Sequence, residues 1–274
     1  MGPADAALVA GGGLLAGAVN AIAGGGTLIA FPALLATGMP ALTANITSSV
    51  GLVTGYAGGA LGYRRELRGQ TGRLKALAPP AMLGGLVGAI VLLLTPSDGF
   101  KSAVPFLVLA ACLLLAVQSR LAAMVARRRA ATVAAATAAT ATQSGTEPGT
   151  EPGPPQGAIT WPTRIGVFVA GAYGSYFGAG LGVLLLGVLG ILLVDELQRT
   201  NALKTLLSFG VNSIGVVVFL VTAQVSWAFA GILVVTSACG GVLGARVARL
   251  LPANVLRTAV VVLGVVVAVV LLVR

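Results

Sequence analysis

Histidine is absent from this chain of 274 residues. That absence removes Ser-His-Asp and Cys-His nucleophile activation, imidazole metal ligation and histidine proton relays together. Cysteine is nearly absent. Cys112 and Cys239 both lie inside apolar runs without CxxC spacing, so neither a disulfide framework nor a metal site is expected, and both read as small buried residues of membrane helices. Charge is scarce too: 9% of residues are Asp, Glu, Lys or Arg, against about 25% in soluble domains. Such a chain cannot cover a globule in water. The acidic residues Asp5, Glu66, Asp98, Glu147, Glu151, Asp195 and Glu196 fall at the ends of apolar runs or between them. This pattern argues against a carboxylate relay or a carboxylate-pair enzyme inside a membrane, and leaves Asp195 as the one place for a coupling carboxylate. No cofactor is expected.

What is abundant is apolar. The fraction is 57% and the mean hydropathy +0.99, which predicts an all-α integral membrane protein with the lipid bilayer as its first partner. The formal net charge of +10 would suggest nucleic acid in a soluble protein. Here the cations sit in short runs between apolar stretches, at Arg64, Arg65, Arg68, Arg73 and Lys75 and again at Arg120 and Arg127–Arg129. Loops facing anionic lipid have this pattern, so no nucleic-acid partner is expected. Met1 to Leu8 lack a basic n-region, and the first apolar run reads as a membrane segment.

About eight apolar runs are long enough to span hydrocarbon, near 7–36, 42–62, 76–95, 102–123, 163–194, 200–222, 226–248 and 254–273. The first and fifth are too long for one upright span and carry glycine clusters in their middles. Between the fourth and fifth, residues 126–160 pass from an arginine run through an Ala/Thr tract into a Pro/Gly/Glu/Thr stretch. That composition predicts a disordered cytoplasmic linker, with a short helix over 130–142 as the alternative. The expected organisation is a first transmembrane repeat over 1–125, the linker over 126–160 and a second repeat over 161–274.

The repeats are visible in register. Ala16-Gly17-Ala18 and Gly24-Gly25-Gly26 match Ala170-Gly171-Ala172 and Gly178-Ala179-Gly180 at a separation of 154. At 156, Asn45 matches Asn201, Gly84-Gly85 matches Gly240-Gly241, Gly88-Ala89 matches Gly244-Ala245 and Pro96 matches Pro252. Duplicated halves with glycine-interrupted helices at equivalent places are a secondary-transporter architecture. Orientation is open at this stage. The positive-inside rule orients the halves oppositely, because the loop near Thr222–Ser226 has no charge where its counterpart has five cations. Four crossings per half would orient them alike. A re-entrant pass in each long glycine-rich run resolves the conflict as an inverted repeat, and so would second-half arginines lying outside.

The candidate site residues follow from these interruptions. Asn20, Gly24, Gly25, Gly26 and Thr27, followed by Pro32, predict a broken helix, since each glycine weakens a helix by about 1 kcal/mol relative to Ala. Unwound backbone at membrane depth must be buried in protein or line a wet cavity, and its free N–H groups suit an anion. Close helix packing is the plainer reading, and it suits Gly51, Gly55 and Gly59 better. The second cluster offers Ser175, Tyr176, Gly178, Gly180 and Gly182; no strand–helix alternation accompanies its GxGxG, so a nucleotide loop is not expected. Asn45, Thr47 and Ser48 open one apolar helix, and Asn201, Lys204 and Thr205 open its counterpart. Capping explains part of this. Lys204 lies about a turn inside, where it is either an anion ligand or an interfacial anchor. Asn212 is a further polar lining candidate.

At these residues the chain resembles the sulfite exporter TauE/SafE family, also called the toluene sulfonate uptake permease family. Gly17, Asn20, Gly24-Gly25-Gly26, Pro32, Leu35, Ala44-Asn45 and Thr47-Ser48 carry the likeness, repeated through Gly171, Gly174, Gly178, Gly180, Gly182, Asn201-Ala202 and Lys204-Thr205. The resemblance implies a multi-pass plasma-membrane permease for small organic or sulfur-containing anions such as sulfite or sulfonates. One departure is that Leu186 stands where the family often has a proline equivalent to Pro32, which predicts a less sharply broken second helix. The alternative function is a non-transporting structural or assembly membrane protein; homo-oligomerisation is left open.

Overall fold

The computed structural model describes residues 2–22, 24–143, 159–193, 197–247 and 253–273. These form α1 (Pro3–Ile22), α2 (Thr27–Ala36), α3 (Ala41–Gly62), α4 (Thr71–Leu94), α5 (Ser97–Gln143), α6 (Trp161–Tyr176), α7 (Leu181–Leu192), α8 (Leu197–Thr222), α9 (Trp227–Val247) and α10 (Ala253–Val273), with no strand among the described residues. Polarity is inverted relative to a soluble domain. Leu83, Val87, Ile90 and Leu94 of α4 and Val262, Val266 and Val269 of α10 face outward, while Asn45, Thr47, Ser48, Lys204, Ser208 and Asn212 are buried. Thr71–Leu94, Ser97–Val117 and Gln198–Thr222 are each long and apolar enough to cross a bilayer. Helices satisfy their backbone groups internally, which hydrocarbon demands. The chain is an all-α integral membrane protein.

Both long glycine-rich runs fold back on themselves. A Cβ on Gly12 would lie 2.9 Å from that of Ala33, and one on Gly26 would meet the Ala16 carbonyl, so α2 returns antiparallel to α1. Likewise Gly166 faces Val188 and Gly174 faces Leu181, so α7 returns along α6. Each half thus has five helices among the described residues, and the extra pass fixes the orientation of the halves. Gly13 faces Leu233 and Thr236 while Gly17 faces Ser237 and Gly241, so α1 runs parallel to α9. Gly51 against Leu233 and Gly55 against Ser237 make α3 parallel to them both. The equivalent group, α4, α6 and α8, is also parallel within itself: Gly84 faces Phe168, Gly88 faces Ala172 and Gly85 faces Val211. Between the groups the sense reverses, with α3 antiparallel to α8 where Gly59 meets Thr205 and Val50 clusters with Val216. The two halves are therefore inverted relative to one another. Each exchanges a partner, α1 packing on α9 as α6 packs on α4.

Small residues make this exchange. A Cβ on Gly84 would strike the Phe168 carbonyl oxygen and one on Gly240 the Leu14 carbonyl oxygen; Gly171 faces the Ala81 carbonyl as Gly17 faces that of Ser237. Each pair is one contact seen twice, at the separations found in the sequence. Polar links add to it, with the Ser237 hydroxyl donating to the Gly51 carbonyl at 2.8 Å and the Thr54 hydroxyl to the Val234 carbonyl at 2.8 Å.

Inversion collects the cations. Gln70 at the foot of α4 donates through its side chain to the Arg199 carbonyl at the start of α8, at 3.0 Å. The Arg64–Lys75 cations, Arg164 and Arg199 therefore share one end of the bundle. Turning back at Pro96, α5 brings Arg120 and Arg127 to the same end. The uncharged α8–α9 junction lies at the other. With Cys112 and Cys239 replaced by alanine, Arg65→Cys and Gln224→Cys are expected to react with an impermeant maleimide from opposite faces of sealed vesicles. Labelling of both from one face would contradict the inversion.

Three expectations change. The segment 126–143, expected as the start of a linker, continues α5 as helix, in keeping with its alanine content, alanine being the best helix former; residues 144–158 lie outside the described ones. Cys112 is buried, but Cys239 is exposed on the outer surface rather than buried, and both are free thiols. The second helix break is as complete as the first, each four residues long between its helices. Pro32 lies inside α2 rather than at the break, so Leu186 in its place costs the second break nothing.

Candidate substrate site

The breaks are made by glycine geometry. Gly24 has φ +80°, and Gly178 and Gly180 have φ +78° and +86°, values that only a residue without Cβ adopts freely. The two hairpin tips meet. A Cβ on Gly24 would lie 2.8 Å from the Gly182 Cα, and one on Gly178 would lie 3.2 Å from the Thr27 hydroxyl. Phe31 and Phe177 close the crossing edge to face, with ring centroids 5.5 Å apart. This crossing and the α3–α8 contact join the inverted halves, in addition to the α1–α9 and α4–α6 contacts.

Some backbone donors at the tips are used by the tips themselves. The Gly24 N–H donates to the Val19 carbonyl at 3.1 Å, Leu28 to Gly25 at 3.0 Å, and Ile29 and Ala30 to Gly26 at 3.0 and 3.1 Å. The Gly26 N–H donates to Asn20 Oδ1 at 2.8 Å. At the second tip Val183 and Leu184 both donate to the Gly180 carbonyl at 3.0 Å. The N–H groups of Gly24 and Gly26 are thus spent on building the first turn, and side chains add further donors.

Those side chains are buried and several lack partners. Asn20 spends Oδ1 on Gly26, while its Nδ2 has none. The Tyr56 hydroxyl is likewise buried without a hydrogen-bond partner. Ser208 Oγ is also unpaired, one turn from Asn212, whose Nδ2 donates to the Ser208 carbonyl at 2.9 Å. Lys204, Ser208 and Asn212 follow at four-residue spacing on one face of α8. Lys204 is 3% exposed, and no ion pair with a described residue neutralises it. An unsatisfied buried polar group costs about 1–3 kcal/mol, so this concentration at the interface of the halves is the candidate site.

The other candidates divide. Asn45 donates from Nδ2 to the Tyr176 carbonyl at 2.9 Å, at the edge of the second break, and keeps Oδ1 unpaired. Thr27 is buried beside Gly178. Thr47 accepts from the Ser226 N–H at 3.2 Å and Ser175 donates to the Val211 carbonyl at 3.2 Å; both hold helices together. Ser48 and Thr205 turn back on their own helices, to the carbonyls of Asn45 and Asn201, each at 2.8 Å. Asn201 is half-buried. Asp195 lies outside the described residues. Tyr56 and Ser208 were not among the sequence candidates. The available signal was positional: Tyr56 and Asn212 are equivalent residues at the separation of 156. An apolar groove of about 450 Å³ between α4 and α8, lined by Pro79, Met82, Leu83, Leu86 and Ile214 among others, offers no polar group and faces outward.

Asn20→Leu is expected to lower stability by about 1–3 kcal/mol, because the buried Gly26 N–H loses its acceptor. The measurement is thermal unfolding in detergent; an unchanged midpoint would remove Asn20 from the break.

Known proteins resemble this chain in sequence. A "Probable membrane transporter protein" of Haemophilus influenzae is 25% identical over 252 residues, covering 92% of this chain and 88% of that protein. The "Probable membrane transporter protein ORF9" of a Sinorhizobium species is 35% identical over 102 residues, 36% of this chain and only 38% of that protein's length. No solved structure matches the chain. Residues 9–271, almost the whole length, match the family model described as sulfite exporter TauE/SafE, and the chain belongs to that family.

Proposed function

We propose that this protein is a secondary transporter of the plasma membrane for small sulfur-containing or organic anions, such as sulfite and sulfonates, working by alternating access between its inverted halves. The observation that carries this reading is the crossing of two broken helices at the interface of the halves, beside buried polar groups without partners. Inverted repeats with discontinuous helices rock against each other around a central site. Lys204 supplies the positive charge, with Asn20, Thr27 and the α8 polar face as neutral donors. Gly24, Gly25, Gly26, Gly178 and Gly180 shape the tips, and Asn45, Thr47 and Ser175 position the elements around them. The cation-rich end faces the cytoplasm.

The names of the family and of the two relatives support transport. The test is radiolabelled sulfite flux into proteoliposomes, with unlabelled sulfonates and carboxylates as competitors. Saturable flux suppressed by sulfonates is expected. Folded protein giving no flux above empty liposomes, under both proton and sodium gradients, would remove sulfite as the substrate.

A further inference from the structure

We propose that the outward groove between α4 and α8 binds one anionic phospholipid, with an acyl chain lying in the groove and the phosphate set on Lys75. This site is separate from the candidate anion site and holds whatever anion is transported. The groove, of about 450 Å³, is lined by Pro79, Met82 and Leu86 of α4 and by Ile214, Val217 and Val218 of α8, among others. It faces the bilayer: Val217 is 59% exposed, whereas Lys204 on the same helix is buried. Both helices are apolar enough to cross a membrane. From Pro79 to Leu86 the groove follows α4 for about 10 Å, at 1.5 Å per residue. A long narrow slot without polar lining suits a hydrocarbon chain rather than a solute from water. Because α4 belongs to the first half and α8 to the second, the chain would lie along a seam between the halves.

Lys75 supplies the preference for negative charge. Lys75, Pro79, Met82 and Leu86 follow one another at helical spacing on one face of α4. Lys75 is exposed and stands at the cation-rich end of the groove, one turn beyond Pro79. From Lys75 to Leu94, α4 covers about 30 Å, the thickness of the hydrocarbon core, so the ammonium stands at headgroup level. A lysine there attracts an anionic phosphate as a point charge. A second copy of the chain is less well matched to it. Among the described acidic residues, Asp5 and Asp98 lie at the opposite end of the bundle, and Glu66 has Oε2 buried. Lys75 is also no common feature of the repeats, since its equivalent at the separation of 156 is Gly231. The charge belongs to the one groove and to the cation-rich end.

The experiment titrates the delipidated full chain in detergent with phosphatidylglycerol or phosphatidylcholine of the same acyl chains, and counts bound lipids and protein copies by native mass spectrometry. Lys75→Gln, Met82→Trp and the control Arg65→Gln are compared, each first shown to unfold at the wild-type temperature without lipid. Wild type is expected to hold one phosphatidylglycerol per monomer, about fivefold tighter than phosphatidylcholine, the scale of one cation beside an anionic headgroup. Lys75→Gln should bind the two lipids equally. Met82→Trp, which fills the groove, should lose both, and Arg65→Gln, an exposed cation off the groove, should match wild type. Equal binding of the two lipids by wild type, binding of neither, or a preference that survives Lys75→Gln would overturn the proposal. So would Arg65→Gln acting as strongly as Lys75→Gln, because the preference would then come from the general field of the cations. A dimer that Met82→Trp disperses would make the groove an interface between copies instead.

Discussion

Gly17→Ala, Gly84→Ala, Gly171→Ala and Gly240→Ala are each expected to lower the stability of the folded protein by about 2–3 kcal/mol, whereas Gly11→Ala and Gly231→Ala should not. The first four have a neighbouring backbone carbonyl where the methyl group would go: Ser237, Phe168, Ala81 and Leu14 respectively. Backbone cannot step aside as a flexible side chain can, so α1 must separate from α9, or α6 from α4. Gly11 and Gly231 have nothing within 4 Å of the added Cβ, and alanine there gains up to about 1 kcal/mol of helix propensity. The same methyl group on the same helices therefore changes stability with opposite sign. Detergent-solubilised variants compared by thermal unfolding and by size-exclusion profile provide the check. Equal effects at Gly17 and Gly11 would contradict the close approach of α1 and α9.

Lys204→Ala is expected to weaken anion binding and transport at least tenfold while leaving the folded protein as stable as before, or more so. The two halves of this expectation have one cause. A buried cation with no paired anion among the described residues is costly to the ligand-free protein, so its removal relieves the fold. With an anion bound, the same charge contributes a charge-assisted hydrogen bond on the scale of about 1.5–3 kcal/mol. Lys204→Arg retains the charge and should keep part of the affinity. The measurement pairs thermal unfolding with sulfite affinity. Wild-type affinity in a folded Lys204→Ala protein would make the lysine an interfacial anchor.

The glycine clusters announced the helix breaks because a run of residues without Cβ is a local property, and the two structural breaks fall where the clusters stand. The spaced glycine pairs likewise became the repeated contacts of Gly84 and Gly240. Inversion was readable only as a conflict between charge and crossing number. Its resolution needed the return of α2 along α1, which depends on how Gly12 and Ala33 meet rather than on composition. Proline was a poorer guide than glycine: Pro32 is accommodated inside α2, while left-handed turns at Gly24, Gly178 and Gly180 do the breaking. Thr47 and Ser175 showed polarity in the right helices, but their hydroxyls serve helix contacts. Tyr56 was hidden by its neighbours, since a tyrosine among GxxxG-spaced glycines reads as packing. Only the third dimension shows its hydroxyl buried without a partner.

Counterflow in proteoliposomes tests the central claim, alternating access by inverted halves around a single anion site. Vesicles containing purified protein are preloaded with unlabelled sulfite, diluted, and given a trace of labelled sulfite outside. The account predicts transient accumulation of label above the outside concentration, absent from empty vesicles and reduced at least tenfold by Lys204→Ala. Label that equilibrates monotonically at a rate independent of preloading would show a pore rather than a carrier, and would contradict the account.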